Sequence, residues 1–280
     1  MKPLYGLIGN PVGHSMSPDI HNAALKDAGI DGHYHGFQVE ERDLADAIRG
    51  MKALGVSGFN VTVPHKVEIM QYLDKIDVTA ERLKAVNTVR LEEGQLVGYN
   101  TDGEGFLHSL LDTLDQPLSE LSFLMIGAGG AARAIYTTIA DHSPKRFDIT
   151  NRTIEKAEAL IESTDAHITS NALTLSKAEN RLGDYDVIIH TTSIGMYPNI
   201  DETPISLTNA KKTAVVCDIV YNPLETKLLN DAARLGLKTV DGVGMFVGQA
   251  ARAFELWTGT TPDARKMKSI VIEKLGGTPC

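Results

Sequence analysis

The sequence predicts a two-domain α/β protein, one domain doubly wound and the other built on a mixed sheet, and three observations predict it. Its 280 residues reach the roughly 250 to 300 at which single cores stop growing and chains split. Strand-like and helix-like periodicities alternate along most of the chain. A glycine cluster, Gly127-Ala128-Gly129-Gly130, follows one apolar strand segment directly and opens a helical one.

The first hundred residues read as strand, helix, strand, helix, strand. Leu4–Gly9 and Tyr34–Val39 are extended segments, while Ile20–Ala28 and Leu44–Leu54 repeat apolar residues at helical spacing. Gly58–Val63 is the next strand, stopped by Pro64, which has no ladder donor. Two β-prone pieces within Val86–Val97 flank Glu92-Glu93-Gly94, a hairpin turn, so this half mixes parallel crossovers with an antiparallel element.

A second unit begins near Gly103. Ser122–Ile126, Phe147–Thr150, Asp186–His190, Val215–Val220 and Lys238–Val240 read as strands, with helices at Ala131–Ala140 and Thr153–Ile161. That rhythm is expected of a doubly wound domain. Helices at Gly244–Trp257 and Ala264–Lys274 follow, and the glycines of Asp241-Gly242-Val243-Gly244 let the chain cross back to the first domain. The expected division is 1–102, 103–239 and a returning segment 240–280.

Composition excludes several function classes. A formal net charge of −9 argues against a general nucleic-acid or anionic-membrane surface. No run reaches the roughly 18 apolar residues of a membrane span, and the N-terminus enters Leu4–Gly9 without a signal-peptide pattern. Two cysteines, Cys217 in an apolar run and Cys280 at the end, have neither redox nor zinc spacing, which fits a reducing cytoplasmic compartment. His14, His65 and His190 form no local metal triad, and no metal is expected.

The strand–glycine–helix order reads as a Rossmann-type nucleotide domain. Gly127 permits the tight turn, Gly129 admits a pyrophosphate to the backbone, and small Ala132 permits close helix–strand packing. After the next strand comes Asn151-Arg152-Thr153, where an NAD site usually carries an acidic residue for the ribose hydroxyls. An arginine there favours a phosphorylated ribose, so the expected cofactor is NADP. Arg152 is the candidate 2′-phosphate clamp, with Lys156 auxiliary; the alternative is a solvated arginine at a helix start.

The other half offers the proton chemistry. Asn60, Thr62 and Lys66 cluster at a strand end, and Asp102 supplies a negative partner in Gly98-Tyr99-Asn100-Thr101-Asp102-Gly103. Reducing a carbonyl builds negative charge on its oxygen, which an ammonium can stabilise and protonate while a carboxylate orients it. Desolvation would lower the lysine pKa and the aspartate would raise it. In the turn-rich Gly9–Pro18 loop, Ser15 and Ser17 can donate to a substrate carboxylate or serve as turn and cap residues. Met245 and Phe246 pack against the core or a cofactor ring.

Taken in order, these motifs resemble the shikimate dehydrogenase family over nearly the whole chain. Asn10-Pro11 with His14-Ser15-Met16-Ser17-Pro18, Gly58–Lys66, Ala85-Val86-Asn87-Thr88, Asn100-Thr101-Asp102-Gly103, Asp218-Ile219-Val220-Tyr221-Asn222-Pro223 and Asp241-Gly242-Val243-Gly244-Met245 carry the resemblance. It implies that Ser15 and Ser17, helped by Tyr221, hold a substrate carboxylate. Thr62, Lys66, Asn87, Asp102 and Gln249 would surround the ring hydroxyls, with Lys66 carrying the proton and Asp102 its partner. It also implies NADP contacts from Gly127, Ala128, Gly129, Gly130, Ala131, Ala132, Asn151, Arg152, Thr153, Lys156, Thr191, Gly242 and Met245.

One segment departs from the family pattern. In His190-Thr191-Thr192-Ser193-Ile194-Gly195-Met196, His190 replaces a common asparagine and Ser193 a common proline, in the loop expected beside the nicotinamide. The implied reaction is the reversible reduction of 3-dehydroshikimate to shikimate with NADPH, in aromatic amino-acid biosynthesis. Domain closure around the two reactants and a monomeric or homodimeric state accompany it. The alternatives are a quinate/shikimate dehydrogenase of broader use and a nucleotide-sensing binding protein without turnover; retention of both Lys66 and Asp102 speaks against the latter.

Overall fold

A computed structural model describes residues 2–164 and 167–277. Its strands are β1 (Leu4–Gly9), β2 (His33–Gln38), β3 (Gly58–Val61), β4 (Lys75–Ile76), β5 (Thr88–Glu92), β6 (Gln95–Tyr99), β7 (Ser122–Ile126), β8 (Arg146–Thr150), β9 (Ala172–Leu173), β10 (Val187–His190), β11 (Val215–Asp218) and β12 (Lys238–Val240). The helices are α1 (Ser17–Asp27), α2 (Leu44–Ala53), α3 (Val78–Leu83), α4 (Asp102–Leu111), α5 (Gly130–Ala140), α6 (Ile154–Glu162), α7 (Leu175–Asn180), α8 (Lys227–Arg234), α9 (Gly242–Thr258) and α10 (Ala264–Lys274). Two compact units result: one holds residues 2–101 with Gln249–Lys274, the other Asp102–Gly248 with Leu275–Gly277, and the division falls inside α9.

The first unit has a six-stranded sheet in the order β2-β1-β3-β5-β6-β4. β2, β1 and β3 run parallel, whereas β5 is antiparallel to both β3 and β6. Glu93 and Gly94, at φ 48° and 79°, make the tight turn from β5 to β6, with Glu92 opposite Gln95. Two consecutive left-handed residues match the twist of the flanking strands. Ile8, Phe59, Val61, Val86 and Val89 form the core between the sheet and α2. Trp257 of α9 packs on β3 so tightly that a Cβ on Gly58 would overlap its indole. The same indole N–H donates to the Val89 carbonyl at 2.9 Å.

In the second unit all six strands are parallel, in the order β12-β11-β10-β7-β8-β9. This is a Rossmann order, with its switch point between β7 and β10. Phe123 and Met125 face one core, with Val187, Ile189, Val215 and Cys217. Leu124 and Ile126 face the other, with Ile188, Val216 and the α8 residues Leu228, Leu229 and Ala232. Successive side chains of a strand point to opposite faces. Burial on both faces explains the unbroken apolar runs in the sequence.

Several expected boundaries shift. β3 stops at Val61, although the Thr62 N–H still donates to the Ile8 carbonyl at 2.9 Å. After Pro64 the chain makes turns and a 3-10 helix at Glu68–Tyr72. β4, β9, α3, α4, α7 and α8 are additional to the expected elements. Most are too short for a periodic pattern; α4 contains Gly103 and Gly105, which weaken its helical signal.

Candidate active site

In the first unit, the sheet topology brings the predicted substrate residues to one end of the sheet's inner strands. The Ser15–Ser17 turn follows β1, Thr62 and Lys66 follow β3, Asn87 precedes β5 and Thr101 follows β6. Because β5 opposes β3, its start lies at the end where β3 and β6 finish. The Ser17 N–H donates to the Ser15 hydroxyl oxygen at 3.2 Å, and the two hydroxyls are also 3.2 Å apart. Ser17 opens α1 and is buried. Lys66 is held at its backbone, where its carbonyl accepts from the Val86 N–H at 2.8 Å.

A buried amide network underlies this end of the sheet. The Tyr34 hydroxyl donates to Asn60 Oδ1 at 2.9 Å, and Asn60 Nδ2 donates to Thr88 Oγ1 at 3.1 Å. Asn87 Oδ1 accepts from the Thr101 N–H at 2.9 Å, and the Thr101 hydroxyl donates to the Gln249 carbonyl at 3.1 Å. Burial raises the Tyr34 phenol well above its ordinary range, so it stays a donor. Sequence reasoning grouped Asn60 with Lys66 but missed Tyr34, which looked like an ordinary strand aromatic. His65 is buried, with Nε2 2.7 Å from the Val39 carbonyl.

Beside this network His21, from α1, lies parallel to Tyr34 with ring centroids 4.4 Å apart and contacts Trp257 at 5.2 Å. Among the described residues, neither of its ring nitrogens has a hydrogen-bond partner within 3.5 Å. Burial lowers its pKa to about 3, against a weaker opposing influence of Asn60.

The second unit contains Asp102 and Tyr221. Asp102 is buried at the start of α4, and a Cβ on the next residue, Gly103, would collide with Thr138 of α5. Tyr221 stacks on Phe246 at 4.8 Å, and burial raises its pKa.

At the carboxyl ends of β7, β8 and β10 lies a cavity of about 840 Å³. Gly127, Ala128 and Gly129 line it, as do Asn151, Arg152, Thr153, Lys156 and Thr191. Gly127 has φ 120°, and a Cβ there would run into the Thr191 hydroxyl. At Gly129 a Cβ would meet nothing within 4 Å, so the glycine leaves space where a side chain would intrude. Arg152 and Lys156 pair with no carboxylate among the described residues. Two cations beside a helix N-terminus, outnumbering the one carboxylate that lines the cavity, Glu155, fit a phosphorylated dinucleotide.

The remaining predicted cofactor residues lie elsewhere. Gly130 begins α5, Ala132 is fully buried and Ala131 packs against the core. Gly242 lies against the Ile219–Val220 backbone, and Met245 belongs to the core that contains Phe123. Thr174, Leu175, Thr192, Ser193, Ile194 and Pro204 line the cavity without having been singled out as contacts. Only the strand ends of a Rossmann order, known once the sheet is known, would have found Thr174 and Leu175.

Comparison with known proteins identifies the family. Residues 7–89 match the shikimate dehydrogenase substrate binding domain, 110–237 the shikimate / quinate 5-dehydrogenase domain, and 242–272 the shikimate 5′-dehydrogenase C-terminal domain. A curated shikimate dehydrogenase (NADP(+)) from Bacillus subtilis (strain 168) is 67% identical over 280 residues, covering 100% of both chains. A crystal structure of a shikimate dehydrogenase in complex with NADP+ matches at TM-score 0.90 and 43% identity, over 98% of this chain and 96% of that one. The Thermus thermophilus enzyme with NADP(H) and shikimate matches at TM-score 0.88 and 32% identity, over 98% and 99%. With three domain matches in order and full-length relatives, the chain belongs to the shikimate dehydrogenase family.

Proposed function

We propose that Lys66 and Asp102 carry the proton chemistry of the reversible reduction of 3-dehydroshikimate to shikimate. The family supplies the reaction: an NADP-dependent oxidoreductase step of the shikimate pathway, and so of aromatic amino-acid biosynthesis. NADPH, when bound, supplies the hydride. Lys66 gives a proton to the substrate oxygen that gains negative charge and takes it back in the reverse direction, while Asp102 orients that exchange. Ser15 and Ser17, with Tyr221, bind the substrate carboxylate; Thr62, Asn87 and Gln249 bind its hydroxyls. Gly127–Gly129 cradle the pyrophosphate, and Arg152 with Lys156 bind the 2′-phosphate.

The observation that carries this reading is the placement of Ser15, Thr62, Lys66 and Asn87 at one end of the sheet, backed by the Tyr34–Asn60 and Asn87–Thr101 hydrogen bonds. The Val86 N–H bond to the Lys66 carbonyl fixes the backbone from which Lys66 extends, which limits the orientational freedom it must lose in reaction. We assign the enzyme to the cytoplasm, consistent with Cys217 being a free, buried thiol.

The test is loss of NADPH absorbance on adding 3-dehydroshikimate, for the wild type and for Lys66→Ala. Removing the proton carrier lowers kcat by about 10² to 10⁴ with NADPH affinity retained. An unchanged rate would remove Lys66 from the mechanism. A second reading, use of both shikimate and quinate, is favoured by the family description matched over residues 110–237; it gives similar kcat/KM for the two substrates.

A further inference from the structure

The His190 ring joins two strand ends. His190 is fully buried at the end of β10, and Asp218, nearly so, ends the neighbouring β11. Nδ1 of His190 is 3.0 Å from Asp218 Oδ1, and Nε2 is 2.5 Å from Thr192 Oγ1. Asp218 also accepts from the Val220 N–H at 3.0 Å and from the Thr226 hydroxyl at 2.7 Å. Thr192 Oγ1 in turn accepts from the Ile194 N–H at 3.3 Å.

The protons follow from these partners. A carboxylate only accepts, so Nδ1 of His190 carries the hydrogen toward Asp218, and Nε2 is left to bond the Thr192 hydroxyl. The links run from the Ile194 N–H through Thr192 and His190 to Asp218, whose position is fixed from its other side by Thr226. Thr192, Ser193 and Ile194 all line the cavity described above. An asparagine is shorter: its amide can donate to Asp218 from the place of Nδ1 but has no atom at the place of Nε2.

We propose that His190 is a positioning residue that couples the cavity loop Thr192–Ile194 to the buried Asp218 carboxylate and so tightens binding of the dinucleotide. The proposal rests on the reading of this cavity as the NADP seat. In that role the imidazole touches no reacting atom; it holds Thr192, and through it the Ile194 backbone, in the geometry the cofactor meets. An asparagine there would leave that loop tethered only by its own local bonds.

The experiment is a double-mutant cycle on the full chain, using His190→Asn and Thr192→Val, with NADPH affinity read by fluorescence titration and KM measured for NADPH and shikimate separately. His190→Asn keeps a donor for Asp218, and the far-ultraviolet spectrum checks its fold. Each single variant is expected to weaken NADPH binding by about tenfold, the worth of one buried hydrogen bond, with KM for shikimate unmoved. The double variant should lose little more than either single one, and Thr192→Ser should restore wild-type affinity. Additive losses, or wild-type affinity in His190→Asn, would overturn the proposal. Arg152→Ala separates the two readings: if it weakens NADPH binding while His190→Asn and Thr192→Val do not, only the coupling fails. If it leaves NADPH binding unchanged, the seat itself is wrong and the coupling falls with it.

Discussion

Replacing His21 with phenylalanine should remove an acid-sensitive weakness from the first unit. The imidazole is buried against Tyr34 and Trp257, neither nitrogen has a partner within 3.5 Å among the described residues, and burial, opposed more weakly by Asn60, lowers its pKa from 6.5 to about 3. In the unfolded chain the same group takes up a proton near pH 6.5. The unfolded state therefore binds more protons between these values, and stability falls as the pH is lowered through that window. Above pH 6.5 both states are neutral and the effect vanishes. At 1.36 kcal/mol per pKa unit, the cost is about 2 kcal/mol at pH 5 and about 4 kcal/mol at pH 3. Phenylalanine keeps the ring stack without the titration. The assay is urea unfolding at pH 7 and pH 5, followed by fluorescence of Trp257, the single tryptophan, which lies in the same unit as His21. A local probe is needed because a two-unit chain need not unfold in one step. The wild type should lose about 2 kcal/mol more than His21→Phe between the two pH values. Equal losses in both proteins would refute the reasoning, because the buried imidazole would then be titrating as it does in water.

Three further outcomes follow from the packing and the cavity. Arg152→Ala should raise KM for NADPH by about 10- to 100-fold, the worth of a charge-assisted phosphate contact, while NADH kinetics change little; parallel losses with both cofactors would exclude the clamp. Gly127→Ala forces a side chain into a left-handed backbone and against Thr191, and should cost about 1–3 kcal/mol of stability and weaken NADPH binding, seen by thermal unfolding and titration. Gly58→Ala sets a methyl against the Trp257 indole and should cost about 1–3 kcal/mol by overpacking, with a shifted tryptophan emission as its spectroscopic sign.

The parts of the fold legible in the sequence are those whose signal is local. β7 and β12 have the predicted bounds, and the Glu93-Gly94 turn is set by residues that accept left-handed backbone. The cavity at Gly127–Gly129 was legible because a glycine pattern between a strand and a helix has few other uses. What was not legible depends on tertiary pairing. β9 is two residues long and exists only as a partner of β8. α4 begins at Asp102 despite its glycines because Gly103 is needed where α5 passes close by. The amide network joining Tyr34, Asn60 and Thr88 spans three separate segments that no spacing rule connects.

β7 serves two cores at once, Phe123 and Met125 supplying one and Leu124 and Ile126 the other, and it delivers the chain to Gly127. Such a strand tolerates exchange of one apolar side chain for another far better than any change in its length. Removing one residue would trade the contents of the two cores, since each side chain beyond the deletion would swing to the opposite face. It would also carry Gly127 away from Thr191 and put a residue with a Cβ in the turn. The strand thus acts as a ruler, and variation among related chains should be written here in substitutions, with insertions and deletions confined to the loops.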